Sequence, residues 1–426
     1  MRARGDGDKH RSMNAGPGRS GSPSARAASE VLVALLRAEL GTGAGPNGDV
    51  LRACDWNRLE QLGAHHGVLP ILYKQLKLVG GAVPDALRQR MRLVYYVNAL
   101  LNRRVRRLLE ELGAALRAEG IGVVVLKGAA LLETLYVDDP GLRQLSDVDL
   151  LVDERDVERA GACLVAAGLE PIGPIQKVRR GPLCDIHHVF ARPGSIPVEL
   201  HWRLFEPYLP YCFDLAEVRA AARPIPGLPD NVLAMAPEHE LAHLCIHLER
   251  HALAYRSLLD REDWFELLTV PRGLGRLVWL YDIAAYMRCF GETLDWQRFV
   301  DRARRWAIDA RVHAVLELCR RALAAAPPSG VTEALDRRPP RWTERLAHRV
   351  VFASYAAQDA ERFSAVTRLS THAVRAANTW AWLFPPSAYL RARHAGGASS
   401  FALRAAHFGQ VIPELWTEAR ERLRDR

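Results

Sequence analysis

The chain has 426 residues, and 49% of them are hydrophobic, which is enough to build two or three domains with real cores. Its formal net charge is +9, but no dense basic block accompanies this excess, so nucleic-acid binding is not indicated. Of the 58 basic residues only five are lysine, which is typical of coding bias in a GC-rich bacterial genome rather than of selection for phosphate contacts.

Seven cysteines occur without a Cys-x-x-Cys pair, and their odd number and scattered positions indicate reduced thiols rather than a disulfide framework. The longest aliphatic run, near residues 123–126, is too short to span a bilayer. The N-terminal segment carries no apolar stretch typical of a signal peptide. We therefore expect a cytoplasmic protein that makes no membrane contact.

The first part of the chain changes from a polar segment to a helical one. Residues 1–28 are rich in Gly, Ser, Pro and Arg, so we expect a disordered basic tail there. Residues 29–120 carry apolar side chains at helical spacing, as at Leu32, Leu35 and Leu36, and the region ends at a glycine. This region is predicted to be an N-terminal helical domain.

At residue 121 the spacing changes from helical to extended. The pattern predicts four strands, at 121–126, 145–152, 186–191 and 196–202. A turn at 192–195 joins the last two strands as a hairpin. Short helices are predicted at 129–135 and 156–167. Residues 121–225 are therefore predicted to form a small core of mixed sheet and helices.

Helical spacing returns after residue 226. The pattern predicts helices at 238–253, 274–290, 296–306 and 311–324. Two proline pairs, Pro327-Pro328 and Pro339-Pro340, mark a linker between a helical domain at 226–326 and a C-terminal helical region at 327–426. The predicted fold class is α+β, with a small mixed-sheet core flanked by N-terminal and C-terminal helical domains.

Two aspartates carry the strongest chemical signal in the sequence. Side chains two residues apart on a strand project from the same face, so Asp147 and Asp149 are predicted to lie side by side. Adjacent carboxylates repel each other unless a divalent cation neutralises them. Glu199, flanked by apolar residues on a later strand, would complete a set of ligands for two Mg2+ or Mn2+ ions, as phosphoryl or nucleotidyl transfer requires.

Histidines on the last two predicted strands are further candidates. His201 lies two residues after Glu199 on the same strand face, where it could orient a ligand or touch a phosphate. In the pair His187-His188, one imidazole must face the acids because side chains alternate. We take His188 as the possible substrate contact.

A separate signal lies in the helix predicted after residue 238. The run His239–His243 reads His-Glu-Leu-Ala-His and matches the HExxH pattern of zinc proteases, with two imidazoles one turn apart and a glutamate as general base. His247 and His251 continue the spacing. The extended HExxHxxGxxH motif is absent, although Glu249 and Asp260 remain formal third ligands. A substrate contact by His247 or His251 is favoured over zinc binding, and a packed helix without a ligand role is the simplest outcome.

Short motifs surround the acidic strand in a fixed order. They are Asp55-Trp56-Asn57-Arg58-Leu59, His66-Gly67-Val68-Leu69-Pro70, Leu126-Lys127-Gly128, Leu135-Tyr136, Val198-Glu199-Leu200-His201-Trp202, Tyr281-Asp282-Ile283 and Asp295-Trp296. Together with Asp147–Val152, and over roughly residues 50–310, they resemble the uncharacterised nucleotidyltransferase family of the polymerase-β-like superfamily. The resemblance implies a nucleotidyltransferase-like core that uses an NTP, such as ATP, with divalent ions held by the three acids.

Further site residues follow from the resemblance. In that superfamily a Gly-Ser pair ahead of the acids holds the triphosphate, and Lys127-Gly128 stands in its place here. Nucleotide contacts are therefore implied for Lys127 and Gly128, and for Arg143 and Ser146 just before the acids. The acceptor is open among small molecules, peptides and proteins. Two other functions stay open: a non-catalytic nucleotide-binding or antitoxin-like module, and a zinc hydrolase that uses the HExxH helix.

Overall fold

The computed structural model describes residues 23–79, 83–173, 186–205, 211–252, 258–262, 264–269 and 276–335, with short C-terminal pieces at 345, 380, 383–385, 390, 399, 401–409 and 411–413. Most of the predicted tail, residues 1–22, and the proline pair at 339–340 lie outside the described residues.

In the described part of the chain, five helices precede the sheet. They are α1 (Pro23–Leu40), α2 (Gly48–Ala53), α3 (Trp56–His66), α4 (Leu69–Leu76) and α5 (Asp85–Ala118). Residues 23–28, which composition assigned to the tail, belong to α1, because Ala28 packs into the core without exposure and anchors the first turns. Helix α5 is one continuous helix of 34 residues.

A mixed sheet of seven strands forms the centre of the described chain. Its strands are β1 (Val123–Leu126), β2 (Val148–Leu151), β3 (Glu170–Pro171), β4 (His187–Ala191), β5 (Val198–His201), β6 (Arg223–Pro224) and β7 (Val232–Ala234). The order across the sheet is β3-β4-β5-β2-β1-β7-β6. The pairs β2/β5 and β1/β7 are parallel and the others antiparallel, so the predicted mixed sheet is confirmed. Strand β7 was not predicted, and it extends the sheet beyond residue 225.

Helices cover the sheet and complete an α+β fold, as predicted. Those between the strands are α6 (Lys127–Thr134), α7 (Val157–Ala166) and α8 (Leu215–Ala221). Those after the sheet are α9 (Pro237–Ala252), α10 (Trp264–Thr269), α11 (Leu277–Phe290), α12 (Trp296–Arg305), α13 (Asp309–Leu323) and α14 (Val331–Ala334). Helix α9 contacts α11, α12 and α13, and it also reaches α6 at the sheet. None of the described helices combines the length and apolar character needed to cross a membrane.

The strand register decides which side chains share a face of the sheet. Asp149 stands opposite Glu199 in the pair β2/β5, and His187 stands opposite His201 in the pair β4/β5. Because side chains alternate along a strand, these four residues project from one face. The opposite face carries buried apolar side chains, namely Val148, Leu150, Phe190, Val198 and Leu200. One face therefore supplies core packing and the other supplies polar chemistry.

The aspartates of two Asp-Trp pairs in the sequence are helix N-caps. The Asp55 carboxylate accepts a hydrogen bond from the backbone N–H of Arg58 at the start of α3. Asp295 accepts the equivalent bond from Arg298 at the start of α12. Each cap satisfies a backbone donor that the helix leaves without an internal partner. These motif residues thus set helix ends and do not reach the polar face of the sheet.

Candidate active site

Asp149 and Glu199 lie at the centre of the polar face of the sheet. The parallel pairing of β2 and β5 makes them direct neighbours, and Asp149 is 2% exposed. Asp147 lies just before β2 and is half-buried. Burial raises the pKa of Asp147, and the negative charges of Asp149 and Glu199 raise it further. The three predicted carboxylates are therefore close enough to repel one another.

The positively charged ammonium of Lys127 lies against this group of carboxylates. Its Nζ lies 2.6 Å from Asp149 Oδ1, and both side chains are largely withdrawn from solvent. Burial alone would raise the pKa of Asp149, but the Lys127 charge and a hydrogen bond from His201 outweigh it and hold that pKa well below its usual range. Lys127 has a φ of +53°, in the left-handed region. A non-glycine residue there costs on the order of 1–3 kcal/mol, which the surrounding contacts must offset.

His201 joins the two central carboxylates. Its Nε2 lies 2.9 Å from Asp149 Oδ1 and 3.2 Å from Glu199 Oε2. Burial lowers the pKa of His201, but the hydrogen bonds to the two carboxylates outweigh burial, so the pKa is raised overall. The hydrogen bond between His201 and Glu199 is also the main cause of the lowered pKa of Glu199. The imidazole thus stabilises the charged forms of both acids.

His187, and not His188, faces the acids. The Nε2 of His187 lies 3.8 Å from Glu199 Oε2, and its ring centroid is 4.7 Å from that of His201. His188, the residue selected from the sequence, projects to the opposite face, where its ring lies 4.8 Å from that of Trp202. The alternation rule required one of the two imidazoles to face the acids, but the choice between them needed the register of β4 against β5.

The predicted nucleotide-binding residues lie between α6 and the loop before β2. A Cβ atom on Gly128 would approach Leu145 Cδ2 to 2.6 Å and an Arg143 guanidinium nitrogen to 3.3 Å, so only glycine lets this loop lie against α6. The Ser146 hydroxyl is exposed and hydrogen-bonds to the Asp147 carboxylate, which opposes the rise in its pKa. Ser146 therefore adjoins Asp147, and Gly128 packs against the loop that leads to it, while nucleotide binding by the two residues stays a prediction.

Arg143 is held inside the protein by an ion pair. Its Nε lies 2.9 Å from Asp282 Oδ2, and the Tyr136 hydroxyl donates to Asp282 at 2.7 Å. Asn98 and Asn102 on α5 donate side-chain hydrogen bonds to the Arg143 carbonyl. The loop that leads into the acids is thereby anchored at both its backbone and its side chain. Asp282 belongs to the sequence motif Tyr281-Asp282-Ile283, and its ion pair with Arg143 gives this motif a structural role.

Arg276 is a charged neighbour of the site that sequence reasoning missed. Burial and the charge of Arg143 lower its pKa, while the attraction of Asp147 opposes that shift. Its Nε donates to the His65 carbonyl at 3.3 Å, which holds the side chain across the gap between α3 and α11. No motif in the sequence marks this residue, because its nearness to Asp147 arises only from the packing of α11.

The HExxH run lies inside the protein and not at its surface. His239 and His243 are fully buried, and Glu240 is 3% exposed. No ring nitrogen of these two histidines and no carboxylate oxygen of Glu240 has a hydrogen-bond partner among the described residues. Burial lowers the pKa of His243 to about 3 and raises that of Glu240 to about 8. His243 and Glu240 are therefore mainly neutral near pH 7, and burial closes the whole run to a peptide substrate.

Two other histidines of the stripe, His239 and His247, pack against tryptophan rings. The ring of His247 packs edge to face on Trp279, with centroids 5.1 Å apart. The side chain of His251 lies outside the described part of the structure. His243 is the member of the stripe that adjoins the site, because its pKa responds to the charges of Lys127, Asp149 and His201. The histidines of the stripe thus help to pack helix α9, and the imidazole of His243 is the one that adjoins the site.

Two observations bear on a bound cation. Asp147, Asp149 and Glu199 repel one another, and a divalent ion would relieve that repulsion, so the three carboxylates fit Mg2+ or Mn2+. Among the described residues, the ligand atoms of His187, Glu199 and His201 form a tighter group, all within 4.8 Å of one another. Both sets include Glu199.

A cavity adjoins the acidic loop. Its volume is about 540 Å³, and it lies between α5 and the turn at 192–196. Leu145, two residues before Asp147, forms part of its wall, and Arg104, Arg107 and Arg192 also line it. Arg192 forms an ion pair with Glu111 across the same space, at 2.7 Å. This basic cavity is large enough for part of a nucleotide or of an acceptor.

Comparison with known proteins gives one match. A family model described as "Uncharacterised nucleotidyltransferase" matches residues 52–324, more than half of the chain. The matched range includes the whole sheet and every polar residue described above. No curated protein and no solved structure matches the chain.

Proposed function

The chain belongs to the uncharacterised nucleotidyltransferase family, and on that premise we propose that it transfers a nucleoside monophosphate from an NTP to an acceptor. The observation that carries the proposal is the pairing of Asp149 with Glu199 on adjacent parallel strands, with Asp147 close to both. Three carboxylates on one rigid sheet face match the needs of a reaction in which phosphate charge must be neutralised.

Asp147, Asp149 and Glu199 would hold Mg2+ or Mn2+, which when bound neutralises triphosphate charge and makes an acceptor hydroxyl more acidic. Lys127 supports this role from the protein side, because its Nζ stabilises the ionised form of Asp149, the form that a cation needs. His201 does the same for Glu199 through its hydrogen bond. The two side chains thus keep both acids charged at neutral pH.

The triphosphate would lie against the first turn of α6. Backbone N–H groups at a helix start carry partial positive charge and favour phosphate, and Gly128 lets the loop that leads into the acids lie close to this turn. Lys127 adds a positive charge beside Asp149, and Arg276 adds another within electrostatic reach of Asp147. Ser146 can contribute a hydroxyl hydrogen bond from the exposed edge. Arg143 would act indirectly, since its guanidinium pairs with Asp282 and positions the loop.

In the proposed reaction, an oxygen of the acceptor forms a bond to the α-phosphorus of the NTP. The bond from that phosphorus to the bridging oxygen breaks, and pyrophosphate leaves with its electron pair. The acceptor loses its proton to solvent or to a carboxylate of the site. The acceptor is a small molecule, a peptide or a protein, and the cavity lined by Leu145, two residues before Asp147, is a candidate space for it.

The test is pyrophosphate release from each of the four NTPs with Mg2+ or Mn2+, with an extract of the source organism as acceptor. We expect Asp149→Asn to abolish release, because the amide cannot replace the charge. Glu170→Gln is the matched control, since Glu170 is an exposed acid on β3 of the same sheet. Equal release by wild type and Asp149→Asn would refute the proposed reaction.

One observation favours a second candidate, a module that binds a nucleotide without turnover. Lys127 stands where the superfamily pattern has a small residue, and its ammonium already neutralises Asp149. A cation bound at Asp149 would have to share that carboxylate with the lysine. Metal-dependent nucleotide binding with no pyrophosphate release in any extract would identify this module. Release by the wild type would exclude it.

A further inference from the structure

Two imidazoles lie beside Glu199: His187 has no assigned part in the proposed transfer, and His201 acts there only through its hydrogen bonds to the acids. The Nε2 atoms of His187 and His201 lie 3.8 Å and 3.2 Å from Glu199 Oε2. All three ligand atoms lie within 4.8 Å of one another. Ligands that share one ion at about 2.0–2.2 Å stand about 3–3.5 Å apart, so small side-chain movements would close this set around an ion.

The strands hold these side chains in place. Antiparallel pairing sets His187 directly opposite His201, and Glu199 lies two residues before His201 on the same face. His201 is 2% exposed, so its ring has little freedom. His187 and Glu199 keep some exposure, which leaves a path from solvent to the ion position. The group is therefore preorganised on rigid elements and open on one side.

Lys127 compensates the charge of only one of the two central carboxylates on the polar face. Its ammonium lies against Asp149, so that carboxylate is already compensated. Glu199 has no lysine or arginine within ion-pair distance among the described residues, and its partners are the two imidazoles. Neutral His187 can offer a nitrogen lone pair to a metal ion, whereas His201 would first release the proton that its Nε2 donates to Asp149 and Glu199. Glu199 thus offers the more available position for a cation.

The donor atoms select the kind of metal. Mg2+ prefers oxygen ligands and water, whereas imidazole nitrogen suits Zn2+ and other divalent transition metals. Two nitrogens and one carboxylate with an open side form such a set. We propose that His187, His201 and Glu199 bind a divalent transition-metal ion, with Zn2+ held more tightly than Mn2+ and Mn2+ more tightly than Mg2+. This inference shares Glu199 with the proposed function but does not require turnover.

The test is calorimetric titration of the full-length, untagged protein, freed of metal, with ZnCl2, MnCl2 and MgCl2 in turn. We expect the Kd for Zn2+ to be the lowest of the three, and His187→Gln to raise it by at least about tenfold. His188→Gln is the matched control, because it removes an imidazole from the same strand on the opposite face. Thermal unfolding of both variants checks that they fold.

The outcomes separate cleanly. Equal affinity for Zn2+ and Mg2+ in the wild type would overturn the inference without any variant, and so would an equal loss of Zn2+ affinity in His187→Gln and His188→Gln. Zinc binding that depends on His187, with no pyrophosphate release, would leave this inference standing and remove the proposed function. Release with Mg2+ that is unchanged in His187→Gln, together with no preference for Zn2+, would do the reverse.

Discussion

Replacing Lys127 with methionine tests the electrostatic centre of the site. The change keeps the length of the side chain but removes the ammonium that lies 2.6 Å from Asp149. Removing one partner of a buried ion pair costs about 3–5 kcal/mol, because the other charge stays buried without compensation. His201 donates to Asp149 in both proteins, so the carboxylate keeps one partner in the variant and the loss falls below that range. We therefore expect the free energy of unfolding at pH 7 to fall by about 2 kcal/mol.

The pH dependence of that loss follows from the lowered pKa of Asp149. In the wild type, the stability gained from a lowered carboxyl pKa is fully present above the unfolded value of about 3.9, and it is lost as the pH falls below that value. Without Lys127, only His201 opposes the effect of burial, so Asp149 takes up its proton at a higher pH than in the wild type and sheds the cost of its buried charge. The difference between wild type and variant should thus shrink between pH 7 and pH 4.

Urea unfolding of both proteins at pH 7, 5 and 4 measures this difference. Lys74→Met is a matched control, because Lys74 pairs with Glu39 and Asp139 but is 34% exposed, and such pairs contribute about 1 kcal/mol or less. A Lys127→Met protein as stable as the wild type at pH 7 would refute the reasoning. A loss that grows as the pH falls would refute it as well.

Three further changes test other parts of the structure. Lys127→Gly should be more stable than Lys127→Ala by about 1 kcal/mol in urea unfolding, because glycine adopts a positive φ without strain; equal stability would exclude strain at that residue. Gly128→Ala should lower the free energy of unfolding by about 1–3 kcal/mol, because the new Cβ meets Leu145 at 2.6 Å. Gly122→Ala is the control, because a Cβ there has no atom within 4 Å, and similar losses in the two variants would contradict the close packing at Gly128. Burial raises the pKa of Glu240 to about 8, so the wild type loses stability as the pH rises towards 8. Glu240→Gln should therefore raise the melting temperature more at pH 9 than at pH 6, and an equal rise at the two pH values would show that Glu240 is already charged in the folded protein at pH 6.

The alternation of side chains along a strand was enough to predict the central strands of the sheet from the sequence. The strand around Asp149 and the hairpin around Glu199 were predicted at nearly their observed positions, because their apolar neighbours are buried on the other face. Strand β7 was missed, since Val232–Ala234 is too short to show a period of its own. Strands of that length gain their order from a neighbour, here β1, and not from local sequence.

The partners of the site residues were less predictable. The Arg143–Asp282 ion pair joins residues 139 positions apart, and no local pattern indicates such a contact. The choice between His187 and His188 depended on a one-residue register, which the sequence of the hairpin leaves open. The role of Lys127 depended on a backbone angle that lysine seldom adopts. Residue types could therefore be selected from the sequence, whereas their pairing required the tertiary structure.

The parallel pairing of β2 with β5 has a consequence for the order in which the protein assembles. His201 and Asp149 are 52 residues apart in the chain, and a crossover through α7, β3 and β4 separates their strands. Closing a loop of that length costs about 3–4 kcal/mol of chain entropy before any contact repays it. The acids and imidazoles should therefore meet late in folding, after local helices and hairpins have formed. Binding of a metal ion at these residues would then report the completed sheet, and a refolding experiment followed by metal uptake could time its last long-range step.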